Sequence, residues 1–161
     1  MNQITPLFFL VAMVLALSAC GFHLRGPVNI SDSLNPLYVD TDELTATQKD
    51  MIMSALGSSG ARLVDTPDGA NRLSARFGDS RRRDLAQSSP TGVQLVQLSL
   101  QLTYRVQTDN GDMRVESRQI TNTTNLELDN SNVLSHDKIL KAGTKNLQQK
   151  LIRSMIYQLK N

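Results

Sequence analysis

The chain has no tryptophan, one cysteine and two histidines, and its aromatic rings are four phenylalanines and three tyrosines. A single cysteine leaves no internal disulfide, so packing must hold the fold together. His23 and His136 stand more than a hundred positions apart, and neither has a cysteine or a second histidine at metal-ligand spacing. No Gly-rich phosphate loop and no nucleophile elbow occurs. The carboxylate pair Asp109 and Asp112 flanks a turn signal that accounts for it. These absences point to a protein that is not an enzyme and carries no metal or cofactor. Seventeen basic residues nearly balance fifteen acidic ones, a formal net charge of +2. Only Phe77 stands near a basic cluster, which excludes the interleaved stacking and basic groups that single-stranded nucleic acid requires. No internal repeat and no long low-complexity tract is present, and no apolar run reaches the ~20 residues of a membrane-spanning helix.

What is present begins with Leu7 to Leu17, an apolar run of the length of an export signal. No Lys or Arg precedes it, so the positive n-region is represented by the amino group of Met1, which fits a start assigned too far downstream. The run leads into Leu17-Ser18-Ala19-Cys20, which resembles the lipobox of bacterial lipoproteins, whose cysteine is acylated and becomes the mature N-terminus. The alternative for a lone cysteine, a small buried hydrophobe, fits poorly at the end of a cleavable signal. Cys20 is therefore expected to carry an N-acyl chain and an S-diacylglycerol. Each buried methylene contributes about 0.8 kcal/mol, and more than one chain makes the attachment lasting. Gram-negative lipoproteins with Asp after the cysteine stay in the inner membrane. Gly21 in that place implies the outer membrane, facing the periplasm. The organisation expected is a signal over 1–19, a lipidated lead over 20–35 and a single domain over 36–161.

Within that domain, Pro36 to Asp40 reads as a strand. Thr41-Asp42 or Thr45 can cap a helix whose Leu44, Gln48, Met51, Ile52, Ala55 and Leu56 share one face, with Gly57 closing it in the left-handed conformation. Ala61 to Val64 is a second strand, and a strand, helix, strand unit implies a parallel crossover. Leu73, Ala75 and Phe77 alternate with polar residues, and Gly78 interrupts the alternation. The strongest signal is Val93 to Val106, with Val96, Leu98, Leu100, Leu102, Tyr104 and Val106 at period two. Asn110-Gly111 predicts a two-residue type I′ hairpin, pairing Thr108 with Met113 and Val106 with Val115. That register turns Ile120, Leu126 and Leu128 away from the core unless a β-bulge between Glu116 and Gln119 shifts the period. Ser135 is the expected N-cap of a last helix whose stripe runs from Leu140 through Leu147 and Leu151 to Leu159. The order predicts an α+β fold, two helices packed on a mixed, mainly antiparallel sheet of four to five strands.

Arg81, Arg82 and Arg83 form the one basic cluster. They can simply stay solvated and guard a strand edge. Their guanidinium forks also match phosphate, and in the periplasm the phosphate-bearing surface at hand is lipid A and the core sugars of lipopolysaccharide. The Lys138, Lys141 and Lys145 row reads first as an ordinary wet helical face.

Cys20-Gly21-Phe22-His23-Leu24-Arg25, directly after a lipoprotein signal, resembles the mature start of the LptE (RlpB) family of lipopolysaccharide-assembly lipoproteins. The order of elements over the whole mature chain is similar as well. The resemblance implies a non-enzymatic protein that plugs the LptD outer-membrane β-barrel in a one-to-one complex, helps it assemble and takes part in moving lipopolysaccharide to the cell surface. A plug needs a polar exterior against a polar lumen. Gln97, Ser99, Gln101 and Thr103, with the Asn-Thr stretch around Asn122, are candidates for that face. Arg81, Arg82, Arg83 and Lys138 are candidates for lipopolysaccharide, while the loop from Gln87 to Gly92 has no basic residue. The rival reading, a membrane-tethered carrier or chaperone for lipid or lipoproteins, needs an apolar cavity that the apolar positions hardly leave room for.

Overall fold

The computed structural model describes residues 29–86, 92–129 and 131–160. Cys20 and its signal, and residues 87–91 of the loop before Gly92, lie outside them. The elements in order are β1 (Leu37–Asp40), α1 (Ala46–Gly57), β2 (Leu63–Val64), β3 (Asn71–Phe77), β4 (Arg81–Ala86), β5 (Val93–Gln107), β6 (Met113–Asp129) and α2 (Val133–Leu159). Two helices thus pack on a mixed six-stranded sheet, the α+β class expected, with β4 as the additional strand.

Everything is hung on β5. Its C-terminal half pairs antiparallel with β3 and its N-terminal half with β4, both along one side, while β6 runs along the other. β1 lies between β2 and β3, parallel to both. The parallel β1 and β2 are joined through α1, as the strand, helix, strand pattern required. β3 and β4 are in effect one strand broken at Gly78, whose N–H donates to the Gln101 carbonyl at 2.9 Å before the register shifts by a residue.

The period-two pattern of β5 translates directly into burial. Val96, Leu98, Leu100, Leu102, Tyr104 and Val106 are all nearly inaccessible. Leu98, Leu100, Leu102, Tyr104 and Val106 meet Ile52 and Leu56 of α1 and the α2 stripe Leu147, Leu151, Ile152, Met155, Ile156 and Leu159 in one core. Ile30 and Leu34, in the segment read as a lead, are buried in the same core. α2 packs tightly on the sheet at Gly143, where an added Cβ would sit 2.7 Å from a Leu126 methyl. Near its other end Tyr104 donates its phenol to Gln158 Oε1 at 2.6 Å, so the one polar atom of the buried ring is satisfied.

The structure decides several local expectations, some as expected and some otherwise. α1 is capped by Thr45, whose Oγ1 accepts from the Gln48 N–H while Gln48 Oε1 accepts from the Thr45 N–H, a full capping box. Gly57 is the last residue of that helix; the left-handed residue is Gly60, at φ 75°. The hairpin is one residue longer than the two-residue form. Gly111 N–H donates to the Thr108 carbonyl and Thr108 N–H to the Asp112 carbonyl, with Gly111 at φ 89°. This is the three-residue loop built on a type I turn and a glycine bulge. It pairs Gln107, not Thr108, with Met113, while Val106 pairs with Val115 as expected. The required bulge is present: between the Tyr104–Arg118 and Val106–Val115 pairs, Arg105 faces two residues, Glu116 and Ser117. It turns Ile120, Leu126 and Leu128 to the core side. α2 begins at Val133 with Asn132 as its N-cap, three residues before the expected start, and Ser135 donates its hydroxyl back to the Asn132 carbonyl.

Candidate functional site: the uncovered face of the sheet

Both helices pack on one face of the sheet, which leaves the other open. Alternation along β5 assigns Gln97, Ser99, Gln101 and Thr103 to this open face, each half-buried. Their partners on β6 are Asn125, Thr123, Thr121 and Gln119. The two rows form a continuous polar surface of amides and hydroxyls. The Asn-Thr stretch contributes only its alternate members, because Asn122 and Thr124 pair with Leu100 and Leu98 on the helix side. β3 adds Arg72, Ser74 and Arg76 opposite Gln107, Arg105 and Thr103. Arg81 and Arg83 of β4 pair with Ser99 and Gln97 and extend the same face.

The sheet divides the candidate basic residues. Arg81 and Arg83 belong to the open face. Arg82 pairs with Leu98 on the helix side, where its guanidinium contacts Asp84 Oδ1 and Gln94 Oε1, both at 3.3 Å. Lys138 is exposed on α2, which covers that same helix side. The four therefore do not converge on one point. Sequence reading missed Arg72, Arg76 and Arg105, whose signal was their polar places in the alternation of β3 and β5.

The cations are partly segregated by element. Lysines of the described residues lie on α1, on α2 or directly after it, whereas Arg72, Arg76, Arg81, Arg82, Arg83, Arg105, Arg114 and Arg118 lie on strands, with Arg62 before β2 and Arg153 on α2 the two exceptions. Guanidinium is weakly hydrated and planar, and is enriched where proteins meet partners, while lysine is depleted there. Arg76 contacts Glu43 at 3.3 Å with both side chains about two-thirds exposed, a pair that contributes little to stability. Arg72 lies 5.8 Å from the Tyr38 ring centroid, a cation–π placement.

Two grooves open on this domain. One, of about 380 Å³, lies at the β3–β4 break and is lined by Arg76, Phe77, Asp79, Arg81, Ser99, Gln101 and Thr121 among others. The other, of about 580 Å³, lies between the 67–70 turn and the hairpin, with Asp68, Arg72, Gln107 and Asp109 in its walls. Both are shallow and mostly polar, unlike the enclosed apolar cavity an acyl-chain carrier would need. Among the described residues no group of His, Cys, Asp and Glu is placed to hold a metal, and no helix is long and apolar enough to cross a membrane. Among the described residues two side chains are perturbed. Burial pushes the Tyr104 phenol up, with Arg118 opposing. The Ser131 hydroxyl and N–H donate to the Asp129 carboxylate and hold its pKa down.

The fold is shared with known structures. An uncharacterized lipoprotein B from Nitrosomonas europaea superimposes with a TM-score of 0.66 at 16% identity, over 87% of this chain and 90% of that one. A minor lipoprotein from Acinetobacter baumannii gives 0.62 at 16% identity, over 79% and 91%. The rare lipoprotein B of Shewanella oneidensis gives 0.61 at 15% identity, over 77% and 92%. The chain has their fold. No protein-family profile matches the sequence, and no curated protein matches it.

Proposed function

We propose that this chain is an outer-membrane lipoprotein, anchored through acylated Cys20, whose open sheet face docks against the polar inner wall of an LptD-type β-barrel and serves lipopolysaccharide assembly at the cell surface. The observation that carries the reading is the polar face left uncovered by both helices, half-buried along β5 and exposed along β6. A solvated face needs no extended, uncharged amide and hydroxyl surface, whereas a face that must hydrogen-bond to a polar lumen does. The similarity to structures named rare or minor lipoprotein supports the lipoprotein part, together with the lipobox-like segment ending at Cys20.

The anchor geometry is compatible. Ser31 N–H bonds the Leu159 carbonyl, so the described chain starts beside the C-terminal end of α2. β4 and its arginines pair with the far half of β5, a strand of 15 residues that extends roughly 50 Å at about 3.3 Å per residue. Lipid at Cys20 would hold the domain near the Tyr104 end of β5, with Arg81 and Arg83 displaced along the strand, opposite Ser99 and Gln97, for phosphate groups of lipopolysaccharide to reach.

The test is recovery from outer membranes in mild detergent through a C-terminal tag. A single large β-barrel protein at stoichiometric level supports the reading. Recovery alone, or with phospholipid or lipoprotein cargo, refutes it in favour of a tethered carrier.

A further inference from the structure

Three strands of the sheet have an edge with no strand partner among the described residues, and two of the three are guarded. β2 has only two residues. β4 carries Arg81-Arg82-Arg83-Asp84 and a register shift between Asp84 and Ala86. Short length, charge and irregularity are the devices that stop an edge from recruiting another strand. β6 has none of them over its central part. It is 17 residues long, and from Gln119 to Leu126 it holds no charge, no proline and no glycine. Its pairing with β5 is regular from Arg118 to Asp129, so no bulge twists this edge away.

The charges of β6 lie only at its ends. Arg114, Glu116 and Arg118 stand near the hairpin, Glu127 and Asp129 at the other end. We propose that this edge pairs with the same edge of a second copy, antiparallel, about a two-fold axis near Thr121–Thr123. In that arrangement the mainly basic end of each strand meets the acidic end of the other, whereas a parallel pairing would set like charge on like. A two-fold contact uses one patch twice, and the uncharged centre provides the self-complementary backbone ladder. The interface uses an edge rather than the open face and describes the free domain outside a barrel, so this goes beyond the docking reading and does not depend on it.

Thr123 is exposed and points from the open face, so replacing it leaves the core intact. Analytical ultracentrifugation of the protein in mild detergent, from micromolar to submillimolar concentration, should show a reversible dimer. Thr123→Lys and Thr123→Glu each set like charges opposite or diagonal across the axis and should weaken self-association about tenfold or more. An equimolar mixture of the two should restore the dimer, which a folding defect could not do. A wild-type protein that sediments as a monomer throughout overturns the proposal. So does a dimer that neither substitution weakens, or a mixture that stays monomeric.

Discussion

Gly143 lies where α2 packs against Leu126 and Leu98 of the sheet, and its replacement by alanine tests that packing quantitatively. In an open helix interior Gly→Ala stabilises by about 1 kcal/mol, because alanine loses less backbone freedom on folding. At Gly143 the new Cβ would lie 2.7 Å and 3.3 Å from the two Leu126 methyls and 3.4 Å from a Leu98 methyl. Ordinary carbon contacts are about 3.5–4.0 Å, so the nearer Leu126 methyl must withdraw by about 1 Å. Leu98 is 3% exposed and cannot give way, while Leu126 is half-buried and can rotate in part. Overpacking of this kind costs about 1–3 kcal/mol, which cancels the helix gain and leaves a net loss of about 0–2 kcal/mol. Gly57, with nothing within 4 Å of an added Cβ, is the internal control. Urea unfolding followed by circular dichroism should show Gly57→Ala neutral to stabilising and Gly143→Ala destabilising. Adding Leu126→Ala should make the second change favourable, a coupling of about 1 kcal/mol in a double-mutant cycle. A Gly143→Ala protein stabilised by about 1 kcal/mol, with no coupling to Leu126, would refute the packing described.

Tyr104→Phe removes the 2.6 Å bond to Gln158 and should cost about 1 kcal/mol of unfolding free energy. Because the folded phenol is held above its ordinary value, its stabilisation is complete below pH ~10 and is lost as pH rises through the folded pKa. Wild-type stability should therefore fall more steeply than that of the phenylalanine variant in alkaline urea titrations. The Asp129 carboxyl is depressed mainly by the Ser131 hydroxyl, so Ser131→Ala should move its titration midpoint upward in carbon-detected NMR. The sign for stability is that of a depressed acid: the contribution is present above the unfolded pKa and lost as pH falls through the folded one. Thr45→Ala breaks the capping box of α1 and should lower unfolding stability by about 1 kcal/mol, read from the urea midpoint at unchanged slope.

The parts of the fold legible in the sequence are those where periodicity is long. Six apolar residues at period two fixed the inner face of β5, and the register conflict on β6 called for the bulge that Glu116 and Ser117 supply. The stripe of α2 was equally plain, because its buried positions recur over many turns. Turn length was not legible: Asn110-Gly111 is compatible with a two-residue loop, and only the Thr108 bonds to Gly111 and Asp112 select the three-residue form. β4 was hidden because Arg81-Arg82-Arg83 has no apolar alternation; it is a strand through its ladder to β5. Of the candidate site, the row from Gln97 to Thr103 could be read as a face, since one strand defines it. Whether Lys138 joins Arg81 to Arg83 depends on which side of the sheet α2 packs, which no local pattern encodes.

The central claim is that the row from Gln97 to Thr103 meets the inner wall of a β-barrel. A photo-crosslinking amino acid at Gln101, and separately at Thr103, tests it directly in intact outer membranes. Both positions are half-buried on the open face, so the substitutions should leave stability within about 0.5 kcal/mol. The account predicts one dominant adduct from each position, to a large outer-membrane β-barrel protein. No barrel adduct from either position in a folded, membrane-localised protein, or adducts only to lipid or small lipoproteins, would contradict it.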